Sequence, residues 1–214
     1  MVSQPDRPDP RLYLVTPPTA EPGQLCRLLA PALAAADIAA VLLRLEDGDE
    51  RTLINRVKAI APVVQNADVA LILDGRPQLV ARAGADGAHL TGIEAFDDAV
   101  EGLKPERIAG ASGLDSRHDA MLAAERGADY VMFGEPDAGG HRPSFESILD
   151  RVGWWAEVFQ VPCVAFAAAA DEVAPLAQAG ADFVAIGDYA FADPRGLAAA
   201  LGDAMQALAS REPA

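Results

Sequence analysis

The feature that most constrains the fold is a regular alternation of short apolar runs with longer helical segments. Eight runs are apolar at successive positions, namely residues 12–15, 38–43, 69–73, 87–90, 108–111, 130–133, 161–166 and 183–186. Strands of a parallel sheet have this character when helices cover both faces, because neither set of side chains then meets water. We therefore predict eight buried β-strands.

Helical segments are predicted between and after these runs, at residues 23–36, 50–64, 77–83, 94–102, 116–126, 144–159, 171–179 and 194–208. Pro77 and Pro194 suit a first helical turn, because proline has a fixed φ and lacks the N–H that is unpaired there. Asp193 suits the N-cap of the last helix. A Gly-Ala-Asp sequence recurs at residues 84–86, 127–129 and 180–182, and each time it ends a helix and precedes a strand.

Strict alternation of strand and helix predicts a parallel sheet, and eight such units predict a closed (β/α)8 TIM barrel. A doubly wound open sheet is the main alternative, because 214 residues is short for the barrel. We predict one domain, with residues 1–10 as a loose Pro-rich N-terminal leader and residues 11–214 as the barrel.

Charge excludes several classes of partner. The chain has 17 basic and 32 acidic residues, for a net charge of −15. This field repels nucleic acid and anionic membranes, so we expect neither as a partner, and a phosphate site has to be built locally. The N-terminus does not resemble a signal peptide, no apolar stretch reaches the length of a membrane span, and two distant cysteines suit a reducing compartment. We expect a cytoplasmic protein.

Three arginines follow predicted strands or lie in the loop beyond one: Arg44, Arg76 and Arg142. The ligand site of a (β/α)8 barrel forms at the C-terminal ends of the strands, and the planar guanidinium group binds phosphate through paired N–H groups. We predict that all three hold phosphate, with Arg44 and Arg76 as catalytic residues. The alternative is that Arg44 and Arg76 pair with nearby acids such as Glu46 and Asp74.

Further polar or small residues occupy the same strand ends and are predicted to contact substrate or phosphate. They are Thr16, Asp74, His89, Ser112, His141, Arg142, Gly187 and Asp188. His89 can instead be a packed histidine inside the barrel. Carboxylates at this rim suit Mg²⁺, and we predict Glu94 and Asp74 as its ligands; Glu46 and Glu135 are further candidates, since no spacing among the four selects a pair.

The chain resembles the thiamine phosphate synthase family, which also contains thiazole tautomerases. The resemblance runs from about residue 11 to residue 208, and its order and spacing are specific. It is carried by residues 12–16 (LYLVT), 41–44 (VLLR), 73–76 (LDGR), 84–90 (GADGAHL), 127–134 (GADYVMFG) and 179–186 (AGADFVAI). It implies a barrel that joins a pyrimidine pyrophosphate to a thiazole phosphate and releases pyrophosphate with the help of Mg²⁺.

Several family positions are changed. Leu42 replaces a glutamine, and the acidic Glu46 lies near the position of an expected lysine. Gly75 replaces one metal-binding aspartate of the family, and the position of the second metal-binding aspartate falls near Glu94. Residues 137–142 replace a Thr-x-Thr-Lys loop, Ala167-Ala168 replaces a phosphate-binding Gly-Gly pair, and Leu114 stands at the position of the tautomerase histidine.

These departures define three hypotheses. In the first, a divergent thiamine phosphate synthase binds a phosphorylated pyrimidine, thiazole or thiamine phosphate and joins the two precursors. In the second, a non-catalytic binding or regulatory barrel has the same ancestry. In the third, a barrel enzyme acts on another phosphate ester. Barrels of this kind often pair, so a homodimer is one expected assembly.

Overall fold

The computed structural model describes residues 8–137 and 139–210. Most of the predicted leader and the last four residues of the predicted barrel domain therefore lie outside the described residues. Eight strands are present at the predicted places: β1 (Arg11–Val15), β2 (Ile38–Leu43), β3 (Ala70–Asp74), β4 (Gly87–Thr91), β5 (Ile108–Ser112), β6 (Tyr130–Phe133), β7 (Cys163–Ala167) and β8 (Phe183–Ile186).

The strands form a closed parallel barrel in chain order. Closure is shown by the pairing of β1 with β8, in which Leu12 lies opposite Val184 and Leu14 opposite Ile186. The barrel prediction is confirmed, and the open doubly wound alternative is wrong. All strand ends that carry the candidate site residues consequently meet at one mouth.

Helices surround the sheet: α1 (Pro22–Ala35), α2 (Glu50–Gln65), α3 (Val80–Ala83), α4 (Ile93–Leu103), α5 (Arg117–Glu125), α6 (Phe145–Val158), α7 (Val173–Gln178), α8 (Asp188–Phe191) and α9 (Leu197–Ala209). Two predicted helices begin as 3-10 turns, at Pro77–Leu79 and Ala170–Glu172. No helix of the described part of the chain has both the length and the apolar character that crossing a membrane requires.

The predicted start of the last helix is wrong. Helix α9 begins at Leu197, after Gly196, rather than at Pro194. The carboxylate of Asp193, which was expected to cap that helix, accepts the backbone N–H of Arg195 at 2.8 Å and pairs with its guanidinium at 2.7 Å. Asp193 therefore closes a tight loop between the short helix α8 and α9.

The core has two layers. One lies between the sheet and the helices and contains Phe96 and Trp155, both fully buried. The other fills the barrel interior with alternate strand residues, among them Tyr13, Ile72 and Tyr130. This second layer closes the barrel below the mouth, so a ligand binds above it rather than passing through.

The recurring Gly-Ala-Asp sequence has a structural explanation. Its glycines adopt positive φ angles of 77°, 95° and 103°, which L-residues with side chains disfavour. Each aspartate then accepts a backbone N–H near the start of the preceding strand: Asp86 from Leu71 at 2.7 Å, Asp129 from Ala109 at 2.7 Å and Asp182 from Cys163 at 2.8 Å. These bonds tie strand starts together at the end of the barrel opposite the mouth.

Candidate active site at the C-terminal ends of the strands

A cavity of about 1060 Å³ opens at the mouth of the barrel. Its lining includes Arg44 after β2, Asp74 at the end of β3, Glu135 after β6 and Asp188 after β8. This volume is at the upper end of the range for sites that bind small molecules or cofactors. The cavity is therefore large enough for a cofactor-sized ligand or for two smaller molecules together.

A chain of hydrogen bonds runs through the barrel interior beneath this cavity. The hydroxyl oxygens of Tyr13 and Tyr130 are 2.8 Å apart, and the Tyr130 hydroxyl lies 2.9 Å from Nδ1 of His89. Nε2 of His89 lies 2.8 Å from Oγ of Ser112 and 3.2 Å from Oε2 of Glu135. His89 and Ser112 are fully buried and have no access to water. These hydrogen bonds supply the partners that their polar atoms need.

The direction of these bonds follows from what each group can donate. Burial raises the pKa of Tyr13 and that of Tyr130, so both hydroxyls keep their protons. The carboxylate of Glu135 can only accept, so the proton of His89 is assigned to Nε2. In a neutral imidazole, Nδ1 of His89 accepts the proton of Tyr130, and Tyr130 accepts that of Tyr13. In an imidazolium both bonds run in the opposite direction, and every group is still paired.

Gly110 makes room for this arrangement. It lies on β5 beside both His89 of β4 and Tyr130 of β6. A Cβ atom at Gly110 would overlap the ring of Tyr130. The absence of a side chain here lets the phenol lie across the barrel and reach the imidazole, whose ring it stacks against at a centroid distance of 5.7 Å.

Glu135 connects the buried chain to the cavity. Its Oε1 atom accepts from Nη2 of Arg44 at 2.7 Å, and Nε of Arg44 donates to Asp74 at 3.1 Å. Burial alone would raise the pKa of Glu135, but hydrogen bonds and charge from His89, a hydrogen bond from Ser112 and the Arg44 charge together lower it to about 2. Arg44 therefore enters the cavity between two carboxylates.

The predicted residues divide into three groups. Arg44, Asp74, His141, Arg142 and Asp188 line the cavity. Thr16, His89 and Ser112 are fully buried below it, and Thr16 accepts the backbone N–H of Arg44 at 3.0 Å. Arg76, Gly187 and Glu94 are outside the lining.

Arg76 and Gly187 have other local roles. Arg76 has a φ of 54°, and its guanidinium donates to Asp47 at 2.8 Å. The structure thus brings two of the three predicted arginines into the cavity. Gly187 precedes α8, and a Cβ atom there would lie 3.4 Å from the carbonyl oxygen of Val15.

The guanidinium of Arg142 also forms its hydrogen bonds within the protein. Its Nη1 atom lies 2.9 and 3.0 Å from the carboxylate oxygens of Glu172, and its Nη2 donates to the carbonyl oxygen of Phe166 at 3.1 Å. The same carboxylate accepts the backbone N–H of Ala168 at 2.8 Å. Arg44 thus pairs with Asp74, one of the acids named in the alternative, and also with Glu135. The partner of Arg76 is Asp47, and the partner of Arg142 is Glu172.

The loop after β6 is organised by Asp137. One carboxylate oxygen accepts the backbone N–H groups of Gly139 and His141, each at 2.8 Å. The His141 side chain stays 85% exposed and faces the same carboxylate at 3.4 Å. His141 is therefore at the edge of the cavity rather than in its floor.

The predicted magnesium ligands do not come together as a protein-only site. Asp74 is bonded to Arg44, and Glu94 lies in the first turn of α4, outside the cavity lining. Residues 8–137 and 139–210 contain no group of three or more His, Cys, Asp or Glu side chains placed to hold a metal ion. An ion here would take most of its ligands from bound phosphates and water, as Mg²⁺ often does.

Sequence reasoning missed several residues of the site. Glu135 was considered only as a metal ligand, whereas it pairs with Arg44 and His89. Arg151, Glu172 and Tyr189 were not considered: Arg151 and Tyr189 line the cavity, and Glu172 holds Arg142. Arg151 comes from α6 and Glu172 from a 3-10 turn, so reading only the residues that follow each strand does not find them.

Comparison with known proteins is consistent with this geometry. A family model described as thiamine monophosphate synthase matches residues 12–188. A protein named thiamine-phosphate synthase from Rhodospirillum centenum is 42% identical over 91% of this chain and 96% of its own length. One of the same name from Hyphomonas neptunium is 34% identical over 91% of this chain and 92% of its own.

Among solved structures, thiamine phosphate pyrophosphorylase from Pyrococcus furiosus superposes with a TM-score of 0.73 at 21% identity, covering 93% of this chain and 95% of that one. A 3-hexulose-6-phosphate synthase from Salmonella typhimurium gives a TM-score of 0.72 at 16% identity, covering 94% of this chain and 100% of that one. At these identities the solved structures establish the shared barrel fold.

Proposed function

The chain belongs to the thiamine monophosphate synthase family, and we propose that its barrel joins a diphosphorylated pyrimidine to a thiazole phosphate, releasing pyrophosphate in thiamine biosynthesis. The observation that carries the proposal is 42% identity to a protein of that name over 91% of the chain. The cavity supports it, because Arg44 is placed among strand ends where the family resemblance expects a phosphate-binding arginine.

Arg44 is the residue best placed to assist the leaving group. Departure of pyrophosphate builds negative charge, which fixed cations stabilise. Arg44 uses Nε and Nη2 for Asp74 and Glu135, and among the described residues its Nη1 has no hydrogen-bond partner. We assign Nη1 to a diphosphate oxygen, with Asp74 and Glu135 fixing the plane of the guanidinium.

Magnesium belongs to the same proposal. When bound with the diphosphate, Mg²⁺ would neutralise part of its charge, and Asp74, which lies 3.1 Å from Arg44, would be a carboxylate that holds it. Glu94 remains the second proposed ligand. We expect pyrophosphate release to stop when Mg²⁺ is removed with a chelator and to return when Mg²⁺ is restored.

A coupled assay for pyrophosphate release tests the function. With the diphosphorylated pyrimidine, the thiazole phosphate and Mg²⁺, the wild type is expected to release pyrophosphate, and Arg44→Ala is expected to lower the rate by about 10²–10³-fold. Arg27→Ala, an exposed arginine on α1 outside the cavity lining, is the matched control and is expected to keep the wild-type rate. Equal rates in Arg44→Ala and the wild type would refute the role of Arg44, and no release by the wild type would refute the activity.

The second candidate is a non-catalytic binding barrel of the same ancestry, and the charge balance of the cavity favours it. The lining has three arginines, Arg44, Arg142 and Arg151, against five carboxylates, Asp74, Asp115, Glu135, Asp137 and Asp188. A rise in melting temperature with thiamine phosphate, without pyrophosphate release from the two precursors, would identify this candidate. If neither precursor nor product binds, a barrel enzyme for another phosphate ester remains.

The proposal also covers the location, the assembly and the ligand of the protein. We propose a cytoplasmic protein that forms a homodimer, with a small phosphorylated ligand as its partner. Light scattering on the purified protein measures the mass of the assembly, with one chain contributing 22.3 kDa.

A further inference from the structure

The charges around Arg44 do not match a site for anions alone. One guanidinium is shared by two carboxylates, those of Asp74 and Glu135, so the group of three side chains has a net negative charge. A carboxylate beside the diphosphate-binding arginine repels the diphosphate. Its place on the cavity lining is explained if another part of the reacting molecules is positive.

Glu135 is the more deeply buried of the two carboxylates. Its side chain is 9% exposed, whereas that of Asp74 is 33% exposed. Burial raises the pKa of Glu135, but hydrogen bonds with His89 and Ser112 and the Arg44 charge lower it to about 2, so the group is ionised at neutral pH. Water screens a charge at this depth less than one at the rim, so Glu135 exerts a lasting negative field on the cavity floor.

The strand ends next to Glu135 provide an apolar surface. Glu135 follows β6, and the lining that comes from β6, from β7 and from the loop after β5 includes Leu114, Met132, Phe133 and Phe166. Heterocyclic rings bind against apolar and aromatic side chains, whereas phosphate groups bind to arginines. The reacting rings are therefore expected on the side of β5 to β7, close to Glu135, with the diphosphate at Arg44.

The proposed reaction separates charge. The bond between the methylene carbon of the pyrimidine and the diphosphate oxygen breaks, and its electron pair leaves with the diphosphate. The ring nitrogen of the thiazole forms the new bond to that carbon with its own lone pair, and no proton is transferred. Negative charge therefore develops on the leaving group, and positive charge develops on the methylene carbon and ends on the thiazole ring.

We propose that Glu135 is a catalytic residue that stabilises this positive charge, while Arg44 stabilises the negative charge of the leaving diphosphate. The two side chains are paired at 2.7 Å, so their opposite charges are fixed side by side before the reaction begins. Groups that are aligned in advance need no reorganisation as the charges develop. This role rests on the proposed function and adds to it the group that faces the cation.

Two ligands that differ only in the charge of one ring test this role without turnover. They are thiamine phosphate, whose thiazolium ring is positive, and an analogue in which a neutral thiophene ring replaces the thiazolium. By calorimetry, the wild type is expected to bind the cationic ligand about 10–100-fold more tightly, as one charge pair several ångströms apart in partly buried surroundings would give. Glu135→Gln is expected to reduce this ratio to about threefold or less.

The ratio separates a charge effect from a structural one. Both ligands carry the same pyrimidine and phosphate, so a displaced Arg44 weakens their binding equally. Glu135→Asp keeps the charge and is expected to keep a ratio of about 10-fold. Glu101→Gln removes one charge from an exposed position on α4 and is the matched control, with the wild-type ratio expected. Equal affinities in the wild type, or the wild-type ratio in Glu135→Gln, would overturn the proposal.

The wild type alone provides a second measurement that does not require the variant to fold. Because Glu135 is buried, the ratio is expected to persist from about 20 mM to about 500 mM salt. A ratio that falls to one at high salt would assign the preference to exposed carboxylates at the rim and overturn the proposal. If neither ligand binds and no pyrophosphate is released, the proposed function is refuted and the role of Glu135 with it. Pyrophosphate release without any preference for the cation refutes the role of Glu135 alone.

Discussion

Glu135 lies at the boundary between the barrel interior and the cavity, and its two oxygens bond to groups on opposite sides. Oε2 faces His89 at 3.2 Å and Oε1 accepts from Arg44 at 2.7 Å. The same carboxylate therefore fixes the tautomer of a buried imidazole and the direction of a guanidinium that points into the cavity. This dual role explains why a carboxylate with a 9% exposed side chain stays ionised there.

We predict a specific pH dependence for Glu135→Gln. Because the pKa of Glu135 falls from 4.5 to about 2 in the folded protein, its charge stabilises the fold above about pH 4.5, and this stabilisation is lost as the pH falls toward 2. At neutral pH the variant is expected to have a free energy of unfolding about 3 kcal/mol lower than the wild type. Urea unfolding of both proteins from pH 7 down to pH 3 measures the difference, which should shrink across the acid range.

The control for this measurement is Glu101→Gln on α4, because Glu101 is exposed. Its difference from the wild type is expected to stay small at every pH. If the difference in free energy of unfolding between Glu135→Gln and the wild type stays constant from pH 7 to pH 3, Glu135 does not carry the stabilisation assigned to it.

At the scale of elements, the spacing of neighbouring strands determines where a glycine is required. Gly110 on β5 leaves space for the Tyr130 ring, whereas Gly102 on α4 has no atom within 4 Å of an added Cβ. The same substitution should therefore have opposite effects at the two positions.

We predict that Gly110→Ala destabilises the protein by about 1–3 kcal/mol, because the ring of Tyr130 has to move. Movement of that ring breaks its bond to His89, so pyrophosphate release should fall as well. Gly102→Ala is expected to stabilise by up to about 0.5–1 kcal/mol, since alanine loses less entropy in a helix. Thermal unfolding and the pyrophosphate assay on both variants provide the measurements, and destabilisation of equal size at both positions would contradict the packing argument.

The elements were predictable from sequence where a pattern repeats. Apolar runs placed all eight strands, because a strand covered on both faces needs apolar residues at successive positions. Helix α8 was missed because four residues carry no periodicity, and β7 begins at Cys163 rather than at the predicted residue 161.

The candidate site was only partly predictable. Reading the strand ends located Arg44, Asp74 and Arg142 in the cavity. It named Asp74 as a possible partner, because Arg44 and Asp74 both lie at strand ends, but it did not pair Arg44 with Glu135 or Arg142 with Glu172, which lie 91 and 30 positions away. The position of Arg76 outside the cavity lining was not predictable from the pattern, because its backbone at φ 54° and its pairing with Asp47 depend on the turn that follows β3.

For the whole molecule, charge opposes the proposed substrate at long range. The chain has a net charge of −15, and the cavity lining has more carboxylates than arginines. A diphosphate approaching this field is repelled until it reaches Arg44, whereas an uncharged ligand is not. At 0.1 M salt, dissolved ions largely screen such repulsion at distances beyond about 10 Å.

A charged substrate and an uncharged probe should therefore respond differently to salt. We predict that the association rate of the diphosphorylated pyrimidine rises severalfold between about 20 mM and about 200 mM salt, because screening removes repulsion. The association rate of the unphosphorylated thiazole alcohol, used as an uncharged probe, should stay constant over the same range and serves as the internal control. Stopped-flow measurement of protein fluorescence at a fixed Mg²⁺ concentration follows both ligands. A rate for the diphosphate that falls with salt would mean that the arginines at the mouth dominate the field, and that the excess of carboxylates does not govern access to the site.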